Sequence, residues 1–319
     1  MKDTIRWGVL GCARIALNHV IPAIVQADNA QPYAIASRNM DRARKAAADF
    51  GFAKAYGDYQ SLLEDPDVDA VYIPLPNGLH KEWTLKAARA GKHVLCEKPM
   101  ALTAQDCLEM GAACKENGVK LMEAFMYRFT NRIQKLRELL DAGVVGQVRH
   151  IHANFSFAMT PRQDPRLDKD MGGGSFWDVG CYPINLIGWI MGEEPVSFCA
   201  QRRDENGVDV AFSAALKYRG GVICTASSGF DAFSGQMAEI SGSQGSLIVR
   251  DVFLDSGASM VLVNAQGVQE IPIAPCKRYV LEVEAFGKMV LEDGEPPVTL
   301  EETARNCGLI ARMLEATPQ

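Results

Sequence analysis

Apolar and polar positions change rhythm once along the chain. Up to about residue 125, apolar runs at Ile5–Leu10, Tyr33–Ser37, Ala70–Ile73, His93–Cys96 and Lys120–Glu123 alternate with helical patterns at Ala13–Gln26, Asp41–Phe50, Glu82–Ala90 and Thr103–Asn117. Strands separated by helices of about ten to fifteen residues predict right-handed β-α-β crossovers and a parallel, doubly wound α/β sheet. Beyond that point one helix, Arg132–Leu140, is followed mostly by strand-like segments: Val148–Phe157, Val208–Tyr218, Val222–Phe230, Met237–Ile240, Ser246–Val252, Met260–Val263 and Val268–Ile273. Arg219-Gly220-Gly221 and Asn264-Ala265-Gln266-Gly267 read as hairpin connections. The second half is therefore expected to be an α+β domain with a large antiparallel sheet, its helices at Gly180–Met191, Tyr279–Leu291 and Glu301–Leu314. Tyr279, Val283, Phe286 and Val290 form one apolar face, and Thr299-Leu300-Glu301-Glu302 is a capping-box pattern. The expected division is residues 1–125 and 126–319.

Hydrophobic residues make up 48% of the 319 and charged residues 23%, which excludes a disordered or collagen-like chain. A net charge of −6 argues against a broad electrostatic grip on nucleic acid. The nine cysteines include no C-x-x-C pair, so neither a disulfide framework nor a structural zinc site is expected, and a reducing cytoplasm is the natural compartment. Met1-Lys2-Asp3-Thr4-Ile5-Arg6 enters a strand pattern at once, without the apolar core of a signal peptide. The most apolar stretch, Tyr182–Gly192, is too short to span a bilayer and contains Pro183 and Asn185, so no membrane partner is expected.

Gly8-Val9-Leu10-Gly11-Cys12-Ala13-Arg14-Ile15-Ala16 joins the first strand to the first helix. Read as G-x-G-x-x-A, the fingerprint falls on Gly11, Ala13 and Ala16, with Ala in place of the middle glycine. A tight turn with small side chains lets N–H groups at a helix start meet a pyrophosphate, as in Rossmann dinucleotide-binding domains. The alternative is a glycine-containing β-α turn with no ligand; its place after strand one of an alternating series favours the cofactor. The next strand ends Ala36-Ser37-Arg38, with no carboxylate to accept from a ribose 2′-hydroxyl. Ser37 can donate, and the guanidinium groups of Arg38 and Arg42 suit a 2′-phosphate, which favours NADP(H) over NAD(H).

Cys96-Glu97-Lys98-Pro99 follows His93–Cys96, and the proline biases Lys98 toward an extended backbone at the carboxyl edge of the sheet, where open α/β sheets bind ligands. A partly desolvated lysine there suits acid–base chemistry; the plain alternative is a surface Glu-Lys pair before a helix. Downstream lies Gly172-Gly173-Gly174-Ser175-Phe176-Trp177-Asp178-Val179-Gly180-Cys181-Tyr182, in which Asp178 and Tyr182 are i and i+4 and share a face if the segment is helical. A phenol beside an ammonium group loses its proton more readily, so Tyr182 near Lys98 would accept a proton in alcohol oxidation and return it in carbonyl reduction. The alternative is a packing tyrosine bonded to Asp178. His150 and His152 share a strand face without a third ligand, so no metal is expected, and Cys12 lacks a His partner for nucleophilic work.

Five motifs in order resemble the Gfo/Idh/MocA oxidoreductase family over nearly the whole chain. They are Gly11-Cys12-Ala13-Arg14-Ile15-Ala16, Ile73-Pro74-Leu75-Pro76-Asn77-Gly78-Leu79-His80, Glu97-Lys98-Pro99, Glu123-Ala124-Phe125-Met126-Tyr127-Arg128-Phe129 and Gly173 through Tyr182. The resemblance implies a Rossmann domain followed by an open-faced antiparallel sheet domain for substrate binding and oligomerisation. It implies that Lys98 is the catalytic lysine and that Pro74, Leu75, Pro76, Asn77 and His80 border the nicotinamide, with Glu97 and Arg128 also among the cofactor-binding residues. Many members carry D-x-x-x-H where this chain has Asp178-x-x-x-Tyr182. The tyrosine form is similar to the branch of dimeric dihydrodiol dehydrogenases, NADP-dependent D-xylose dehydrogenases and sugar 3-ketoreductases. The expected activity is interconversion of a hydroxyl and a carbonyl on a sugar or polyol with NADP(H), with trans-dihydrodiol oxidation or a non-catalytic dinucleotide-binding regulator as alternatives. Self-association as a homodimer is expected, because an open sheet face needs cover.

Overall fold

Six parallel strands make the first sheet: β1 (Ile5–Leu10), β2 (Ala30–Ala36), β3 (Lys54–Tyr56), β4 (Ala70–Ile73), β5 (His93–Glu97) and β6 (Leu121–Ala124), in the order β3-β2-β1-β4-β5-β6. The computed structural model describes residues 3–160, 164–233 and 235–317, so Met1 and Lys2 lie outside it. The strand order reverses between β1 and β4, which is the switch point where doubly wound sheets take their ligands. The helices α1 (Ile21–Gln26), α2 (Met40–Phe50), α3 (Tyr59–Leu63), α4 (His80–Arg89) and α5 (Ala104–Glu116) connect the strands. β4 is buried along its whole length, as expected of a continuous apolar run covered on both faces. Asn39, Asp58 and Thr103 cap α2, α3 and α5 by accepting backbone N–H groups, so each helix starts where its sequence offers a short polar side chain. β3 and α3 are absent from the sequence expectation, because three and five residues are too few to carry a period.

The second half begins with α6 (Asn131–Asp141), β7 (Val148–Ser156) and α7 (Cys181–Met191). It continues through β8 (Ser197–Glu205), β9 (Val208–Lys217), β10 (Ile223–Gly229), β11 (Gly235–Gly242), β12 (Gly245–Arg250), β13 (Met260–Asn264) and β14 (Gly267–Ile271). These strands form one sheet in the order β14-β13-β12-β11-β7-β10-β9-β8. All pairs are antiparallel except β7 and β10, which run parallel. The expected hairpins at Arg219–Gly221 and 264–267 do join β9 to β10 and β13 to β14. β8 was not expected: Ser-Phe-Cys-Ala-Gln-Arg-Arg-Asp-Glu is a polar edge strand without an apolar alternation. One face buries Ile151, Ala153, Phe212, Leu216, Ala226 and Ile240, with α7 packed on β7 and β10. The other face exposes His152, Ser213, Ile223, Thr225 and Val263.

After β14 come α8 (Arg278–Leu291) and α9 (Leu300–Ala316). Contacts divide the chain into Met1–Met126 with Tyr279–Ala304, and Tyr127–Arg278 with Arg305–Gln319. The single boundary expected after residue 125 is thus corrected, because Tyr279–Ala304 returns to the first unit. The reason is packing: Phe286 of α8 lies 5.0 Å from the Trp7 ring of β1, both wholly buried, and Asn29 Nδ2 donates to Glu284 O at 2.8 Å. Among the described residues, no helix is long and apolar enough to cross a membrane.

Candidate active site

Within the first unit, β1 runs into Gly11, whose φ of +118° is a backbone conformation that L side chains rarely adopt. A Cβ there would meet Leu75 Cδ2 at 3.4 Å and Tyr59 Oη at 3.5 Å, so the turn is lined closely on one side. The expected helix from Ala13 instead opens with a wide π-turn, Ala16–Val20, before α1. Pro22 explains it: with no N–H to give and a ring that crowds the carbonyl four residues back, it forces the preceding turn open.

The end of β2 brings its predicted residues to this turn. Arg42 Nη2 donates to Cys12 O at 2.8 Å, and the buried Ser37 accepts from Asn39 N at 3.2 Å. Burial raises the Tyr59 phenol's pKa, and the neighbouring Arg38 charge opposes that rise. Burial likewise pushes the Cys12 thiol up, against the pull of Arg42 and Ser37, which leaves no thiolate nucleophile. Arg14 is exposed, while Ala13 and Ile15 are half-buried. Tyr59 escaped the sequence reading because it opens the short α3. The small-residue turn, the left-handed Gly11 and two guanidinium groups suit the phosphates of a dinucleotide.

The second set in this unit surrounds Lys98, half-buried just after β5, whose peptide to Pro99 is cis. Tyr72 Oη donates to Glu97 Oε1 at 2.6 Å, and Glu97 Oε2 accepts from Lys98 N at 3.2 Å. His80 is wholly buried, its Nδ1 2.8 Å from Pro99 O and its Nε2 2.7 Å from Leu75 O. Burial pushes the His80 pKa down, and the carbonyls work against that fall. Glu97 and His80, expected to touch a cofactor, therefore spend these polar atoms on the protein and tie the 75–80 loop to the Lys98 turn. Pro74 is buried, Leu75 and Asn77 are half-buried and Pro76 is exposed. Glu123, given no role by sequence, accepts from Met100 N and from Thr303 Oγ1, both at 2.8 Å.

In the second unit the three glycines precede a wide π-turn, Phe176–Gly180, that leads into α7. Pro183 stands inside that helix much as Pro22 does in α1. Asp178 thus lies in the π-turn and Tyr182 in the first turn of α7, and the wider turn still leaves positions i and i+4 on one side. Gly174 has φ +121°, and a Cβ there would overlap Asp209 Oδ1. That buried Asp209 accepts from Ser175 Oγ at 2.7 Å and Phe176 N at 2.8 Å, which anchors the turn. Arg166 Nη1 lies 3.4 Å from Asp178 Oδ2 while its Nε and Nη2 bond Asp164 at 2.9 and 2.8 Å. This pairing was invisible in sequence, since 164–171 has no period. Tyr182 is 4% exposed and packs among Tyr127, Phe155 and Phe253. Arg128, expected at the cofactor, bonds Asn185 Oδ1 at 3.3 Å and lies over the Trp189 ring. His152 Nδ1 is 2.7 Å from Thr225 Oγ1 on the exposed sheet face.

Two family models match the chain: one described as an oxidoreductase family with an NAD-binding Rossmann fold over residues 5–125, the other as the GFO/IDH/MocA C-terminal domain over residues 133–248. The chain belongs to the Gfo/Idh/MocA oxidoreductase family. Among Gfo/Idh/MocA relatives, the D-xylose 1-dehydrogenase (NADP(+)) 2 of Haloferax volcanii is 40% identical over 297 residues, 91% of this chain and 90% of the relative. The trans-1,2-dihydrobenzene-1,2-diol dehydrogenase of Xenopus tropicalis is 34% identical over 245 residues, 75% of this chain and 73% of the relative. The crystal structure of a 3-ketoreductase from Actinomadura kijaniata with NADP and TDP-benzene superposes with a TM-score of 0.94 at 33% identity, covering 99% of this chain and 98% of that one. That Gfo/Idh/MocA enzyme has also been solved with one lysine and one tyrosine changed, separated along its chain by the same interval as Lys98 and Tyr182.

Proposed function

We propose that this chain is an NADP(H)-dependent oxidoreductase that interconverts a hydroxyl and a carbonyl on a sugar or sugar-like polyol. The observation that carries it is the gathering of Ser37, Arg38 and Arg42 at the Gly11 turn with no carboxylate in the ribose position, in a chain 40% identical to an NADP-dependent D-xylose dehydrogenase. The Gly11 turn would hold the pyrophosphate, Arg38 and Arg42 the 2′-phosphate, and the 74–77 loop the nicotinamide end. When bound, the nicotinamide supplies or takes the hydride. Tyr182 takes the proton from the substrate hydroxyl in oxidation and returns it in reduction. Lys98 favours the phenolate by its positive charge, and Asp178, held by Arg166, orients the substrate hydroxyl. A lysine and a tyrosine kept together are superfluous in a non-catalytic regulator.

The aromatic surround of Tyr182 favours one second reading, oxidation of a cyclic trans-dihydrodiol. The protein works in the cytoplasm as a homodimer whose contact is the outer face of the eight-stranded sheet, where Ile223, Val263 and Val268 are exposed. Turnover of NADP⁺ or NADPH is followed by nicotinamide absorbance across aldoses, ketosugars and dihydrodiols. A sugar substrate is expected, with Lys98→Met and Tyr182→Phe each lowering kcat by about 100-fold or more. A folded, cofactor-binding variant with full turnover refutes the role given to that residue. Sedimentation gives the oligomeric state.

A further inference from the structure

Lys98, Pro99 and Met100 have an uncommon arrangement of backbone partners. The Lys98 N–H is held by the Glu97 carboxylate, the Pro99 carbonyl by the His80 ring, and the Met100 N–H by the Glu123 carboxylate, at 3.2, 2.8 and 2.8 Å. Turn groups in buried backbone usually find partners in neighbouring backbone or water. Here three titratable side chains, from the end of β5, the start of α4 and β6, hold consecutive residues of one turn. Glu123 is the one with no other assignment. It is wholly buried, and its second oxygen accepts from Thr303 Oγ1, itself wholly buried in the first turn of α9. That turn is seated firmly, because Leu300 fills the space a Cβ at Gly111 would need.

We propose that Glu123, fixed by Thr303, is a positioning residue for Lys98: it holds the Met100 N–H and so sets the direction in which the Lys98 side chain leaves the turn. Burying a carboxylate is costly, and this one is pushed up to about 7 by its burial, with the Lys98 charge opposing the rise. A packing role alone would be met by an apolar residue without that cost. The inference rests on the reading of Lys98 as the acid–base lysine.

The test uses the full chain, NADP⁺ and the sugar with the highest turnover in the panel. Lys98→Met is assayed first, then Glu123→Ala, Glu123→Gln and the Lys98→Met/Glu123→Ala double variant. Glu123→Ala is expected to lower kcat about 100-fold while sugar KM and NADPH Kd stay within about threefold, since a misplaced catalytic group costs rate rather than binding. Glu123→Gln keeps an acceptor for Met100 and is expected to return kcat to within about threefold of wild type. The double variant is expected to be no slower than Lys98→Met, because Glu123 acts through Lys98. A folded Glu123→Ala with wild-type kcat, a Glu123→Gln as slow as the alanine variant, or independent losses in the double variant each overturn the positioning role. If Glu123→Ala does not fold, Thr303→Val decides: a kcat loss of about fivefold or more at unchanged KM supports the role, and wild-type kcat overturns it. Unimpaired Lys98→Met overturns the catalytic reading and the positioning with it, whereas impaired Lys98→Met beside normal Glu123→Ala overturns the positioning alone.

Discussion

The Lys98 turn and the Asp178–Tyr182 segment solve one problem in two ways. Around Lys98 the backbone itself is gripped, by Glu97, His80 and Glu123 reaching from the ends of regular elements. Around Tyr182 the side chain is gripped, by Tyr127, Phe155 and Phe253 on its flanks, while Asp178 leans on an ion pair from an irregular stretch. Gripping the backbone fixes the direction in which the lysine side chain leaves the turn. Gripping the ring fixes the atom itself, which suits a phenol with only two rotatable bonds. The two regions should therefore respond differently to damage.

The largest effect is expected in the second unit, at the glycine run. Gly174→Ala puts a methyl group onto the buried Asp209 carboxylate and demands a left-handed backbone, so unfolding in urea should show a loss of about 4 kcal/mol. A loss below about 1 kcal/mol would mean that the Asp209 anchor yields easily. Next comes a pH effect in the first unit. Folded Glu123 titrates near 7 and the unfolded carboxyl near its ordinary 4.5, so in that window the folded state holds a proton that the unfolded state has released. Stability from this group is therefore present below the unfolded value and lost as pH rises through about 7. Urea unfolding of Glu123→Gln, compared with wild type from pH 5 to 8, should show a relative gain of up to about 3 kcal/mol toward high pH; parallel curves would contradict the assignment.

Smaller effects sharpen the contrast between charge and packing. Arg38→Ala should raise the Kd for NADP⁺ about 30-fold, near 2 kcal/mol, and that for NAD⁺ by less than about twofold. Equal losses for both would move the 2′-phosphate away from Arg38. Arg166→Leu should lower kcat about tenfold and change stability by under about 1 kcal/mol, since Arg166 is 38% exposed. Unchanged turnover would release Asp178 from dependence on that pair.

The regions also differ in how plainly they are written in the chain. Gly11, Ser37, Arg38 and Lys98 stand at strand ends, and apolar runs locate strand ends from purely local information. Glu123 was visible as part of a motif, but its work depends on Thr303, 180 residues away, a pairing no local pattern encodes. Arg166 belongs to a segment without period, so its grip on Asp178 had no signal. β8 hid because Arg202, Arg203, Asp204 and Glu205 make its end look like a loop, which is how an edge strand discourages unwanted pairing. The prolines did leave a trace: Pro22 and Pro183 each sit inside an apparently regular helix, and each lies just beyond a turn that opens.

The return of Tyr279–Ala304 to the first sheet has a consequence for biosynthesis. Trp7, made long before Phe286, is covered by it, and Met100 waits for Glu123 to be fixed by Thr303. A nascent chain halted before residue 279 has every strand of its parallel sheet yet lacks the cover for one wall and the last support of its lysine turn. Maturation of the amino-terminal half is accordingly tied to synthesis of the 279–304 segment.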